Sequence, residues 1–139
     1  MKAEIISVGT ELLLGQIANT NAQFLARQLS AMGISHYIQT TVGDNPERLK
    51  KTLTQSEGRS DIYILTGGLG PTRDDLTKET VADYLGQSLE IDPDSLISIQ
   101  KDFEDSGRVM PDNCEKMAAY FKQGFLFKNK EGQAVGTGI

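Results

Sequence analysis

Cysteine, histidine and tryptophan are almost absent from the sequence. The 139 residues include one cysteine, Cys114, one histidine, His36, and no tryptophan. A lone cysteine excludes an intrachain disulfide and a cysteine metal cluster, and it favours a reducing compartment. With its only histidine in a predicted strand, the chain also gives no basis for a Ser-His-Asp catalytic triad.

Long apolar runs and clustered positive charge are missing as well. No run approaches the roughly 18–20 apolar residues that span a bilayer, and the first residues include Glu4 and Ser7 where a signal peptide needs a continuous apolar stretch. The 14 Lys and Arg residues are outnumbered by 19 Asp and Glu residues, for a net charge of −5. Because affinity for nucleic acid depends on clustered cations, we expect a cytoplasmic protein that binds neither a membrane nor nucleic acid directly.

The spacing of the apolar residues changes repeatedly between strand-like and helix-like periods. This order of elements predicts a single α/β domain over residues 1–139, with three α/β/α layers and a mostly parallel sheet. In such sheets, ligands bind outside the carboxyl ends of the strands. The predicted strands lie at 5–8, 34–42 and 61–66, with 125–127 as a further candidate, and the predicted helices lie at about 20–32, from 46, at 76–85 and from 92.

A glycine-rich segment follows the third predicted strand directly. Glycines at the end of a strand let the backbone approach a ligand closely, and their N–H groups can converge on an anion. The segment matches neither the Walker A motif nor the GxGxxG spacing of dinucleotide-binding proteins. We expect its first residues to bind a substrate phosphate: Gly67, Gly68, Gly70, Pro71 and Thr72.

Two adjacent carboxylates, Asp74 and Asp75, lie in the same segment. They would repel a phosphate unless a divalent cation sits between them, with Thr77 as a further oxygen ligand. We therefore predict a site for Mg²⁺, Mn²⁺ or Co²⁺ at Asp74, Asp75 and Thr77. In the alternative interpretation, an aspartate only caps the next helix and the glycines only form a turn.

The connection after the first strand is longer than the 2–6 residues typical of such loops, which favours a functional role. Its polar groups are of the kind that contact a ribose or a base edge, and the alternative is a surface loop whose leucines pack inward. Asp44 follows the second strand, where it either faces the same crevice or caps a helix next to Asn45. The candidate substrate-binding residues in the first loop are Gly9, Thr10, Glu11, Asn19 and Asn21.

These three motifs, in this order, resemble the amino-terminal domain of the CinA competence/damage-inducible family. The resemblance covers essentially the whole chain, and that domain is similar to the MogA and MoeA domains of molybdenum-cofactor biosynthesis. It implies a metal-dependent ADP-ribose pyrophosphatase that gives AMP and ribose 5-phosphate, and a homodimer or other homo-oligomer. Molybdopterin is a further ligand that the wider group implies. The residues that carry the resemblance are the segments 7–17 and 19–21, Thr41 to Asp44, and Thr66 to Thr77.

The resemblance also assigns roles to individual residues. Asp75 falls on the essential aspartate of the group's glycine-loop motif and Asp44 on a second functional aspartate, so both are candidate catalytic residues. The alternative function is a non-catalytic domain that binds molybdopterin or a nucleotide and has a regulatory or competence-related partner.

Two segments depart from the family pattern. Met110-Pro111-Asp112-Asn113 leads to Lys116-Met117 where family members usually carry Gln-Ala, and the motif that begins at Val135 stops at Ile139. We therefore expect a domain truncated at its carboxyl end. The separate carboxyl-terminal domain associated with nicotinamide-nucleotide deamidation is expected to be absent.

Overall fold

The structure, a computed structural model, describes residues 1–139, which form two units. The amino-terminal unit is Met1–Gly68 and the carboxyl-terminal unit is Leu69–Ile139. No helix in either unit is both long enough and apolar enough to cross a membrane.

The amino-terminal unit contains the predicted parallel sheet. Its three strands are ordered β2-β1-β3, and both neighbours of the central strand run parallel to it. The predicted strands and helices of this unit are confirmed to within a few residues, whereas the short helix α1 was not predicted. The elements are β1 (Lys2–Val8), α1 (Thr10–Leu13), α2 (Thr20–Ala31), β2 (Ser35–Val42), α3 (Pro46–Ser56) and β3 (Ile62–Thr66).

Helices cover both faces of this sheet because successive residues of β1 point to opposite sides. On one face, Ala3 and Ile5 form a core with Ala22 and Leu29 of α2. On the other face, the buried Glu4 side chain accepts a hydrogen bond from Ser56 at the end of α3. The three-layer α/β/α arrangement predicted from the sequence is therefore confirmed here.

The carboxyl-terminal unit has two short antiparallel strand pairs, β4 with β5 and β6 with β7. The predicted strand at 125–127 is confirmed as β6, but it belongs to one of these pairs and not to the parallel sheet. Cys114 lies in the core of this unit with Ile99, Met117 and Ala118. The elements are α4 (Thr77–Leu85), β4 (Leu89–Ile91), α5 (Pro93–Asp105), a 3-10 helix (Asp112–Ala118), β5 (Ala119–Phe121), β6 (Phe125–Phe127) and β7 (Gly136–Gly138).

A buried ion pair holds α3 against β1. Glu4 is fully buried, and its carboxylate accepts hydrogen bonds from Arg59 at 2.9 and 2.6 Å and from Ser56 and Thr40 at 3.0 Å each. The hydrogen bonds from Arg59 outweigh the effect of burial and hold the pKa of Glu4 below its ordinary value. The carboxylate is thus ionised and fully hydrogen-bonded inside the unit.

We predict that this carboxylate makes the protein sensitive to acid. A glutamate with a lowered pKa in the folded state adds stability above its unfolded pKa of about 4.3, and that stability is lost as the pH falls through the folded pKa. Glu4→Gln should reduce the free energy of unfolding at pH 7 by about 2 kcal/mol, below the usual cost of breaking a buried pair, because Arg59 is 37% exposed. Urea unfolding between pH 3 and pH 7 measures both effects.

Glu47→Gln is the matched control, since Glu47 is 83% exposed and pairs only with Lys50. Its stability should stay within about 0.5 kcal/mol of the parent protein. The prediction is wrong if both variants keep the acid sensitivity of the parent protein.

Candidate functional site

The carboxyl ends of the three parallel strands lie at one edge of the amino-terminal sheet. Val8 of β1 is in register with Val42 of β2, and Ser7 is in register with Thr66 of β3. The segments that follow these strands therefore begin side by side. The sequence predicted a ligand at this edge of the sheet. Seven of the predicted site residues lie here, followed in the chain by Gly68: Gly9, Thr10, Glu11, Asn19, Asn21, Asp44 and Gly67.

Asp44 joins the ends of β1 and β2. Its Oδ2 accepts a hydrogen bond from the backbone N–H of Thr10 at 2.8 Å, and its own N–H donates to Thr10 Oγ1 at 3.2 Å. The N-cap position of α1 is Gly9, which has no side chain to accept a hydrogen bond from the first N–H groups of the helix. Asp44 therefore caps α1, while Asn45 caps α3 by accepting from the N–H of Arg48.

Two asparagines link α2 to the strand ends. Asn19 is the N-cap of α2: its Oδ1 accepts from the N–H of Ala22 at 3.2 Å, and its Nδ2 donates to Ser7 Oγ at 2.9 Å. Asn21 Nδ2 donates to Thr66 Oγ1 at 3.2 Å. Asn19 thus uses both ends of its amide within the protein. Asn21 is exposed, and its hydrogen bond to Thr66 uses only the amide nitrogen.

Glu11 lies over the backbone of Gly9. A Cβ atom at Gly9 would lie 2.7 Å from Glu11 Oε1, so the absence of a side chain lets this carboxylate approach the end of β1. Together with Asp44, it brings negative charge to this edge of the sheet.

Gly67 and Gly68 form a turn that side chains cannot enter. Both have positive φ, 91° and 63°, and a Cβ at Gly67 would lie 2.0 Å from the carbonyl oxygen of Val8. The backbone that follows β3 therefore passes directly against the end of β1. The phosphate-binding role of these glycines stays a prediction.

The predicted metal and phosphate residues from Gly70 onward lie in the carboxyl-terminal unit. Asp75 Oδ2 accepts from the N–H of Thr72 at 3.0 Å and from its hydroxyl at 2.6 Å. A Cβ at Gly70 would lie 2.8 Å from the same oxygen. Asp75 thus folds the segment 70–75 back on itself and does not cap α4, whose N-cap position is Leu76 without a side-chain hydrogen bond.

Asp75 remains ionised in this setting. Burial raises the pKa of its carboxyl, but hydrogen bonds from the hydroxyl and N–H of Thr72 and from the N–H of Gly70, together with the charge of Lys116, outweigh burial and lower it. A carboxylate with a lowered pKa is a weak base and a good ligand for a cation.

The three predicted metal ligands differ in their surroundings. Asp74 is exposed, Asp75 is half-buried, and Thr77 at the start of α4 is only 4% exposed. No group of three or more His, Cys, Asp or Glu side chains is placed to hold a metal ion. Mg²⁺ commonly binds through one or two carboxylates plus substrate phosphate oxygens, so Asp74 and Asp75 fit a cation of that kind, while the burial of Thr77 argues against its direct participation.

Sequence reasoning missed two residues that hold this segment. Asn113 Nδ2 donates to the carbonyl oxygen of Pro71 at 2.8 Å, and Lys116 Nζ donates to the carbonyl oxygen of Thr72 at 2.7 Å. Lys116 also donates to the carbonyl oxygen of Asp75. Asn113 ends the Met-Pro-Asp-Asn segment, and Lys116 follows it closely. The segment was therefore visible in the sequence as a motif, but the carbonyl oxygens that these two side chains contact were not.

We predict that Gly67→Ala destabilises the protein by about 3 kcal/mol or more, because the added methyl group overlaps backbone that cannot move aside. Gly33→Ala is the matched control: Gly33 also has a positive φ, 69°, but its Cβ would meet nothing within 4 Å, so the cost should be about 1 kcal/mol. Urea unfolding midpoints measure both. Equal losses in the two variants would contradict the steric argument.

The comparisons with known proteins identify the family of the chain. The family model described as "Probable molybdopterin binding domain" matches residues 4–137. The chain is 52% identical over all 139 residues to putative competence-damage inducible proteins of Bacillus thuringiensis (strain Al Hakam) and Bacillus mycoides (strain KBAB4). It spans 34% of each, about a third of their length.

Solved structures show the same fold. The protein CinA from Thermoplasma acidophilum, of unknown function, is 34% identical with a TM-score of 0.84, and the match covers 98% of this chain and 79% of that one. MoaB from Pyrococcus furiosus, a tungsten cofactor synthesizing protein, is 17% identical with a TM-score of 0.59, over 98% of this chain and 79% of that one. At that identity, MoaB shows the fold alone.

The fold is thus that of a mixed α/β domain with a parallel sheet, of the kind found in molybdopterin-biosynthesis proteins. The chain belongs to the family of probable molybdopterin binding domains and, within it, to the CinA type.

Proposed function

We propose that this domain binds a nucleotide diphosphate such as ADP-ribose and hydrolyses its pyrophosphate with the help of a divalent cation, giving AMP and ribose 5-phosphate. The observation that supports this most is the charge at the carboxyl edge of the parallel sheet. The segments 9–21, 43–45 and 66–68 contain Glu11 and Asp44 but no lysine or arginine. A pyrophosphate approaching this edge needs positive charge that these segments do not supply.

A divalent cation would supply that charge, neutralising phosphate oxygens and the charge that develops as water attacks phosphorus. The sequence motif makes Asp74 and Asp75 the candidate ligands for such a cation. The lowered pKa of Asp75 keeps its carboxyl ionised, as a ligand for a cation must be. Asp44, at the sheet edge, is then the candidate for orienting the water.

The remaining residues bind and orient the substrate. In this proposal, backbone N–H groups of the turn at Gly67 and Gly68, where both residues have positive φ, contact a phosphate. Asn21 and Thr10 are exposed residues, and their polar side chains suit a ribose. Asn19 acts indirectly, because both ends of its amide already hold Ser7 and α2 in place. In the hydrolysis, the water oxygen forms a bond to one phosphorus as the bridging P–O bond to that phosphorus breaks. The bridging oxygen leaves on the other phosphate, and the protons of water pass to solvent.

The family description favours a second candidate, a non-catalytic domain that binds molybdopterin or a nucleotide. It uses the same glycine turn and the same sheet edge but needs no activated water. In either case, we propose that the protein is cytoplasmic and binds a small molecule. Its assembly as a homodimer stays a prediction from the family resemblance.

We predict that Asp75→Asn reduces metal-dependent release of AMP from ADP-ribose by about 100-fold or more, because the neutral amide lacks the negative charge that binds a cation. The assay compares Mg²⁺, Mn²⁺ and Co²⁺ with a metal-free sample. It is run on this chain and on a form of the protein that continues past Ile139.

Asp105→Asn is the control, since this exposed residue at the end of α5 makes the same change of charge. It should keep the parent turnover. If no form of the protein releases AMP with any of the metals, while calorimetry shows ADP-ribose bound equally by the parent and by Asp75→Asn, the binding function replaces the enzymatic one.

A further inference from the structure

Lys116, in the 3-10 helix of the carboxyl-terminal unit, grips the segment that carries the two predicted metal ligands. Its Nζ donates to the carbonyl oxygens of Thr72 and Asp75 and lies 3.8 Å from Glu79 Oε1. The side chain is 23% exposed. Taking an ammonium group largely out of water is costly, and these three oxygen atoms are what stabilise it there.

The two carbonyls that Lys116 holds stand on either side of Asp74. The opposite, N–H side of the same turn is held by the carboxylate of Asp75, which accepts from Thr72 and Gly70. The turn is therefore fixed from both sides, by a cation on its carbonyls and an anion on its amides. Asp74 itself is exposed, and Lys116 holds the backbone on both sides of it.

The helix that carries Lys116 is itself fixed at both of its ends. Asn113, near its start, donates to the carbonyl oxygen of Pro71. At its other end, the buried Lys78 of α4 donates to the carbonyl oxygens of Met117 at 3.2 Å and Ala119 at 2.8 Å. The hydrogen bonds from Lys78 lie outside the turn, so the position of Lys116 does not depend on the turn alone.

The charge of Lys116 has a second effect. It helps to lower the pKa of Asp75 and so favours the ionised form of that carboxylate. It does so without occupying an oxygen atom of Asp74 or Asp75, since Lys116 donates to backbone carbonyls.

We propose that Lys116 is a positioning residue: by holding the carbonyl oxygens of Thr72 and Asp75, it keeps both aspartates ready to receive a divalent cation with its phosphate ligand. This inference rests on the proposed function for its effect on turnover, but its effect on cation binding stands on the geometry of the turn.

The test compares Lys116→Met, which keeps the length of the side chain without its charge, with Lys116→Arg, which restores a cation. The control is Lys122→Met, since Lys122 is 58% exposed and pairs only with Glu90 at 3.1 Å. Steady-state hydrolysis of ADP-ribose gives kcat and KM as a function of Mn²⁺ concentration. Titration with Mn²⁺ alone gives the cation affinity, and amide hydrogen exchange reports on the turn.

We expect Lys116→Met to lower kcat by about 10- to 100-fold, with KM for ADP-ribose changed less than about threefold, because a misplacement of about 1 Å has effects of this size. Mn²⁺ affinity should fall about tenfold, and the amides of Thr72 and Asp75 should exchange faster. Lys116→Arg should recover most of each loss, and Lys122→Met should match the parent protein. Parent values of kcat and Mn²⁺ affinity in Lys116→Met would overturn the proposal.

The two proposals fail in different ways. If the parent protein binds Mn²⁺ but releases no AMP, the proposed hydrolase function is wrong, and the Mn²⁺ titration alone tests the role of Lys116. A tenfold weaker affinity in Lys116→Met then supports that role, and an unchanged affinity overturns it. If Lys116→Met does not fold, Lys116→Gln is compared with Lys116→Arg. The Lys116→Arg protein should then bind Mn²⁺ more tightly than the Lys116→Gln protein, and equal affinities would overturn the proposal.

Discussion

The pairing of β1 with a parallel strand on each side is the constraint on which the candidate site depends. Parallel pairing brings the carboxyl ends of three strands to one edge, and the register places Val8 beside Val42 and Ser7 beside Thr66. Segments far apart in the sequence therefore leave the sheet as neighbours. The chemistry of the site follows from which short polar and glycine residues occupy those exits.

The residues expected to bind a ligand also build the protein. Asp44 caps α1, Asn19 caps α2, and Asp75 folds the turn at Thr72, each through side-chain oxygens that accept backbone N–H groups. Structural and functional roles are therefore carried by the same atoms. A substitution at any of them changes the backbone as well as the ligand contacts, so activity alone does not separate the two roles, and measurements of folding are needed beside it.

The strands of the amino-terminal unit and its helices α2 and α3 could be predicted because their signals are local, whereas the four-residue helix α1 could not. Apolar spacing gives β1, β2 and β3, and Asn45-Pro46 gives the start of α3. The hydrogen bonds of Lys116 could not be predicted, since its partners lie 44 and 41 residues away in the chain and a lysine carries no local sign of which carbonyls it will meet. Strands β4, β5 and β7 have three residues each, too few to show a period.

The overlap between a side chain at Gly67 and the carbonyl oxygen of Val8 has a consequence for genetics. The obstacle is main-chain, and every amino acid has the same carbonyl, so replacing Val8 does not remove it. A suppressor screen started from a Gly67 mutant should therefore recover reversion to glycine at that codon, and compensating mutations at neighbouring side chains should be rare. The position is closed to gradual sequence drift by geometry alone.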